Sequence, residues 1–173
     1  MKTELERLEE QLERALEGEA WHGPSVLEVL DGVSAHQAAA HPIAGAHSIW
    51  ELLLHLCSDY GLVLRRLAGD GSTLTEAEGW PGVPEPSAEN WSESVRKLKQ
   101  VNCELRRAIR SFPPERLDEP LVTEVPYTAH TQFIGVTQHG LYHAGQMALL
   151  KKALKQGVAC NIEQAPIHRG GCS

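Results

Sequence analysis

This sequence lacks the concentrated positive charge with which a nucleic-acid binder neutralises phosphates. Its 16 lysines and arginines are outnumbered by 23 aspartates and glutamates, and no basic stripe with interleaved aromatic residues occurs, so the electrostatic footprint of a nucleic-acid binder is missing. Long apolar runs are missing too. No stretch approaches the length of a membrane span, and no charged start leads into an apolar core and a small-residue cleavage site. These absences predict a soluble, cytoplasmic protein with neither nucleic acid nor a membrane as partner. The four cysteines, Cys57, Cys103, Cys160 and Cys172, contain no CxxC pair, which removes zinc knuckles and thioredoxin-like redox motifs. Cys57 and Cys103 lie in amphipathic patterns and read as small buried hydrophobes.

What is present is helical periodicity. At 173 residues the chain can bury one substantial core, and one domain over residues 1–156 is expected, followed by a polar tail over 157–173. Leu5, Leu8, Leu12, Ala15 and Leu16 set out a first amphipathic helix over Thr3 to Leu16. A short apolar piece follows at Val26 to Val33. Ser34 to Ala46 reads as a connection with at most a turn of helix. Ser48-Ile49-Trp50-Glu51 has the form of a capping box, so a second long helix starts there and runs to about Leu67 before Gly69-Asp70-Gly71. The next stretch, Gly69 to Pro86, is rich in glycine and proline and has no sustained period, which predicts a long crossover. A third helix opens at Ser87 and ends at Pro113-Pro114. Its inward stripe contains one polar residue, Asn102, which requires either a neighbouring backbone partner or a polar cavity. Residues Glu115 to His130 read as an extended connection containing a strand-like piece.

The fourth helix, from about Thr131, carries the chemistry. His139 and His143 are four residues apart and project from one face, close enough to share a ligand. His55, inside the second helix, is the best third member. Bundles place metal sites in the core using side chains of facing helices, and three neutral imidazoles suit Zn, Ni or Fe while leaving positions for water or substrate. Asp59, one turn after His55, and Gln146, beside His143, are candidate acceptors for the outer imidazole N–H groups. The same spacing fits three packed, hydrogen-bonded histidines without a metal, and HxxxH with no Glu after its first His is not the metalloprotease signature. His22, His36, His41, His130 and His168 read as solvated. His47 is a cap-flanking surface residue or lines the mouth of a site, and Trp50 and Tyr142 read as core or cavity wall. Gly135, Gly140 and Gly145 interrupt a good helix and predict close packing there. In the tail, Cys160, Cys172 and His168 leave open a metal site, a disulfide or free thiols.

Gly45-Ala46-His47-Ser48-Ile49-Trp50-Glu51 running into Leu54-His55-Leu56, and Gln138-His139-Gly140-Leu141-Tyr142-His143-Ala144-Gly145-Gln146, together resemble the DinB/YfiT-like superfamily of bacterial four-helix metalloproteins. The likeness extends in layout over about residues 1–156. It implies an all-α four-helix bundle with a long crossover between helices two and three, and it implies that His55, His139 and His143 are a metal triad for a divalent transition metal, Zn, Ni, Fe or Mn. Members similar to this chain include thiol-dependent transferases that use bacillithiol or mycothiol and a mycothiol-dependent isomerase. The resemblance also implies a homodimer. The expected function is therefore a metal-dependent enzyme that activates a low-molecular-weight thiol, as an S-transferase, or water, as a hydrolase, against a small-molecule substrate. The alternative is a non-catalytic protein in which the metal ties two helices together or is sequestered.

Overall fold

The computed structural model describes residues 1–163, with side chains to residue 156. Four long helices carry the architecture: α1 (Glu4–Leu16), α4 (Ile49–Leu67), α6 (Ala88–Arg110) and α7 (Ala129–Glu163), while α2 (Val26–Leu30), α3 (Ala35–Ala39), α5 (Glu76–Gly79) and a 3-10 turn (Pro114–Arg116) lie in the connections. Five helices begin with the same reciprocal pair of hydrogen bonds, Thr3/Glu6, Ser25/Glu28, Ser34/Gln37, Ser48/Glu51 and Thr75/Glu78. Each pair satisfies two backbone N–H groups that a helix start would otherwise leave bare. α7 starts differently, with the Thr128 hydroxyl accepting from the Thr131 N–H.

Side-chain contacts set the directions of the long helices. Glu9 meets Arg106 and Glu6 meets Arg110, so α1 and α6 are antiparallel. Trp50 Nε1 donates to Ser94 Oγ at 2.9 Å, and ten residues along α4 Tyr60 stands beside Asn102, so α4 and α6 are parallel. That is what the segment between them accomplishes: it carries the chain back along the molecule before α6 begins. α7 in turn runs antiparallel to α4, and α1, α6, α4 and α7 close a ring around a core of fully buried side chains that includes Leu12, Trp50, Tyr60, Leu98, Leu105 and Met147. Among the described residues no helix is long and apolar enough to cross a membrane.

Several expectations change at this level. The connection over 69–86 contains a helical turn, α5, because Thr75 and Glu78 form a capping box. The connection before α7 contains only an isolated bridge between Pro120 and Thr128 in place of a strand-like piece. α7 continues beyond the expected end near residue 156 as far as Glu163. Tyr142 is 64% exposed, since it follows His139 by three residues on a helix whose inward line passes through His139, His143 and Met147. Asn102 is buried against the Tyr60 hydroxyl of α4, a side-chain neighbour in place of the expected backbone partner or polar cavity. Cys57 is buried and Cys103 half-buried. His168 and Cys172 lie outside the described residues, as does the side chain of Cys160.

Candidate metal centre

α4 and α7 meet in a regular antiparallel register. His55 lies against His143, with ring centroids 5.0 Å apart, and one turn on Asp59 Oδ2 lies 2.7 Å from His139 Nε2. The three imidazoles converge through the same atom type. His139 Nε2 is 3.1 Å from His55 Nε2 and 3.1 Å from His143 Nε2, and the three residues form a group able to hold a metal ion.

The outer nitrogens decide what those inner nitrogens carry. His55 Nδ1 lies 2.7 Å from the Gly79 carbonyl and His143 Nδ1 lies 2.6 Å from Gln146 Oε1. Each carbonyl oxygen accepts from an N–H, so both rings carry a proton on Nδ1, and in the neutral ring this leaves a lone pair facing inward on Nε2. Burial pushes the His143 imidazole down to about 4, with His139 and His55 adding to the effect and Gln146 opposing it. His143 is therefore neutral at pH 7. Its Nε2 lone pair faces the other two inward nitrogens. Asp59 Oδ2 adds a buried oxygen whose near neighbours are these same inward nitrogens, His139 Nε2 at 2.7 Å and His55 Nε2 at 3.1 Å. This is an excess of donors of electron pairs, and a cation resolves it. Metal–nitrogen bonds of about 2.0–2.1 Å put adjacent ligands roughly 3 Å apart, which the spacing meets. The residues present therefore fit a divalent transition metal.

A model of the DinB superfamily matches residues 20–147. The chain belongs to the DinB superfamily. A partial likeness of another kind is to the pyridoxal 5'-phosphate synthase subunit PdxS of Actinobacillus pleuropneumoniae serotype 7 (strain AP76), 34% identical over 71 residues, which are 41% of this chain and 22% of that protein. The chain thus spans less than a quarter of that relative's length. No solved structure matches. DinB membership and the three-histidine cluster together are compatible with a metal-dependent function.

Of the residues singled out in the sequence of this DinB protein, the fold brings together His55, His139, His143 and Gln146. Asp59 is also there, but it faces the inner nitrogens and not the outer N–H groups, because a residue four positions after His55 shares its helix face. The outer proton of His55 goes instead to Gly79, in the crossover. Trp80, next to Gly79, was not legible as a site residue. Its indole lies flat between His55, at 4.0 Å with planes 4° apart, and His47, at 3.7 Å and 8°. His47 thereby sits at the outer edge of the cluster, exposed, with Glu51 3.8 Å away. Trp50 is core. Among the interrupting glycines, Gly140 has a packing reason: a Cβ there would stand 3.0 Å from the Tyr60 hydroxyl. A Cβ at Gly135 or Gly145 would meet nothing within 4 Å, so close packing accounts for one glycine of the three.

Proposed function

We propose that this DinB protein is a metal-dependent enzyme whose centre, held by His55, His139 and His143, serves the attack of a low-molecular-weight thiol or of water on an electrophilic small molecule. A divalent transition metal bound there would act as a Lewis acid, lowering the pKa of a coordinated thiol or water. The protein's own part is positional. Gly79 and Gln146 fix the tautomers of His55 and His143, Trp80 covers the face of His55, and burial of His143 keeps that imidazole neutral at working pH. In the thiol reaction a sulfur–carbon bond forms as the bond from carbon to the leaving group breaks, and the thiol proton leaves to solvent.

The observation that carries this reading is that the cluster is open on one side. The His139 side chain is 36% exposed, and a pocket of about 310 Å³ is lined by His139 and Asp59 at one end. A site left open is what a catalytic metal requires and a structural one does not. The second reading, a metal that only ties α4 to α7, draws its support from Asp59, which is close enough to complete a closed four-group site. We place the protein in the cytoplasm, as a homodimer, with residues 1–156 as the working domain.

Elemental analysis of untagged protein beside His55→Ala and His143→Ala tests the centre, with close to one metal per chain expected in the parent and little in either variant. Turnover of monochlorobimane with a thiol, or of para-nitrophenyl acetate without one, then separates transferase from hydrolase. Undiminished metal in folded His143→Ala would sink the triad, and full loading with neither turnover would favour the structural tie.

A further inference from the structure

The pocket that opens on His139 has a second end, and that end is built around a cation. Arg66 and Gln132 line it there, with Leu62, Val63, Val136 and Tyr127 as mostly apolar walls between. The register of the two helices sets its length. Asp59 and His139 face each other at one end and Arg66 and Gln132 at the other, seven residues away on both helices, which is two turns or about 10 Å.

Arg66 is unlike the other arginines. Seven of the nine among residues 1–163 lie within ion-pair distance of a carboxylate, and Arg107 is exposed. Arg66 is half-buried and has no carboxylate partner among the described residues. Its Nη1 donates to Gln132 Oε1 at 2.9 Å, while its Nε is buried with no hydrogen-bond partner at all. Gln132 is itself buried, and its Nε2 donates to the Tyr127 carbonyl at 3.4 Å, which turns its oxygen toward the guanidinium and holds Arg66 in place. Service to the α4 C-terminus does not account for this, because Arg65 in the same turn pairs with Glu78. A half-buried guanidinium that lines an apolar pocket with no carboxylate of its own is matched by a planar anion.

We propose that this pocket takes a small organic monocarboxylate with an apolar body, its carboxylate on Arg66 and its other end at the histidine cluster. The role of that other end rests on the function proposed above; the binding does not. A single cation calls for a single negative charge. Asp59 at the opposite end repels a carboxylate, so the two ends impose one orientation on the ligand. The volume lies at the lower end of the range for small-molecule sites. Gly135 keeps the slot open, since a Cβ there would enter free space.

Hexanoate, its neutral analogue hexanamide and inorganic phosphate are the probes, titrated against the full-length chain by two-dimensional NMR, as purified and again after chelation. Hexanoate should saturate a single site in both forms, and hexanamide should bind about tenfold more weakly or worse. Arg66→Gln should lose a similar factor. Gly135→Leu, which fills the slot without touching the charge and has room to fold, should abolish binding. Equal binding of acid and amide, an unchanged affinity in both variants, or a preference for phosphate over hexanoate would each overturn the proposal. Hexanoate binding that vanishes on chelation and ignores Arg66→Gln would place the anion on the metal and overturn it too. Metal content is measured separately, so loss of this inference and loss of the metal reading are distinguishable.

Discussion

The two seams of the bundle treat charge in opposite ways. Where α1 meets α6, the buried Glu9 is met by Arg106 at 2.7 Å and by Arg110 at 3.6 Å, and Arg106 also reaches Glu13 at 2.6 Å. Every strong charge in that seam has an answer inside the protein. Where α4 meets α7, polar atoms are taken out of water and left waiting. Arg66 Nε lies buried on α4 without a hydrogen-bond partner, and the buried Asp59 Oδ2 has only the imidazole nitrogens of the cluster beside it. Leaving a donor such as Arg66 Nε unmade costs on the order of 1–3 kcal/mol, and with the crowded histidines it marks a surface arranged for something that comes from outside. The first seam holds the fold; the second is kept incomplete.

The comparison breaks most visibly if the second seam can be completed. Supplying Zn²⁺ to chelated protein should raise its stability by about 4 kcal/mol once the free metal is a thousandfold above its dissociation constant. The melting temperature should climb by roughly 10 °C. His143→Ala should show no such rise, and a rise of equal size in that variant would move the metal elsewhere. In the first seam the analogous insult is loss of a partner that is already present. Arg106→Ala leaves Glu9, whose side chain is 10% exposed, with only the more distant Arg110, and urea unfolding should register a loss of about 2 kcal/mol; added metal should not restore it. A smaller effect sharpens the picture within the second seam. Gly135→Ala should gain up to about 1 kcal/mol of helix stability, because its Cβ enters open space. Gly140→Ala should return that gain, because its Cβ meets the Tyr60 hydroxyl. Equal gains at both positions would show that Tyr60 yields freely and that the helices are not held at that distance.

Much of this was legible from local patterns. The four long helices follow from apolar periodicity, and Ser48 with Glu51 marks the start of α4 to the residue. His55, His139 and His143 stand out because i,i+4 spacing on one helix and an interior histidine on another are geometric statements. The same logic applies to Asp59, whose spacing from His55 already puts it on the inner face; assigning it to the outer N–H groups overlooked that. Four further capping boxes, Thr3/Glu6, Ser25/Glu28, Ser34/Gln37 and Thr75/Glu78, were equally visible. The last of them announces α5 in the middle of a stretch that otherwise reads as featureless. Trp80 was not legible, because it stacks on His55 through a crossover with no period to betray its direction. Nor was Arg66, since the absence of a partner is a tertiary fact. Tyr142 misled because an aromatic residue beside an inward histidine need not share its face.

The stacked arrangement of His47, Trp80 and His55 has an optical consequence. Of the four tryptophans, Trp50 and Trp91 are in the core with ring centroids 5.0 Å apart, Trp21 is fully exposed, and only Trp80 lies in face-to-face contact with an imidazole of the cluster. Whatever draws electron density from the His55 ring is felt by the indole lying on it. The protein thus carries its own fluorophore at the edge of the centre, and its emission offers a label-free readout of when that centre fills.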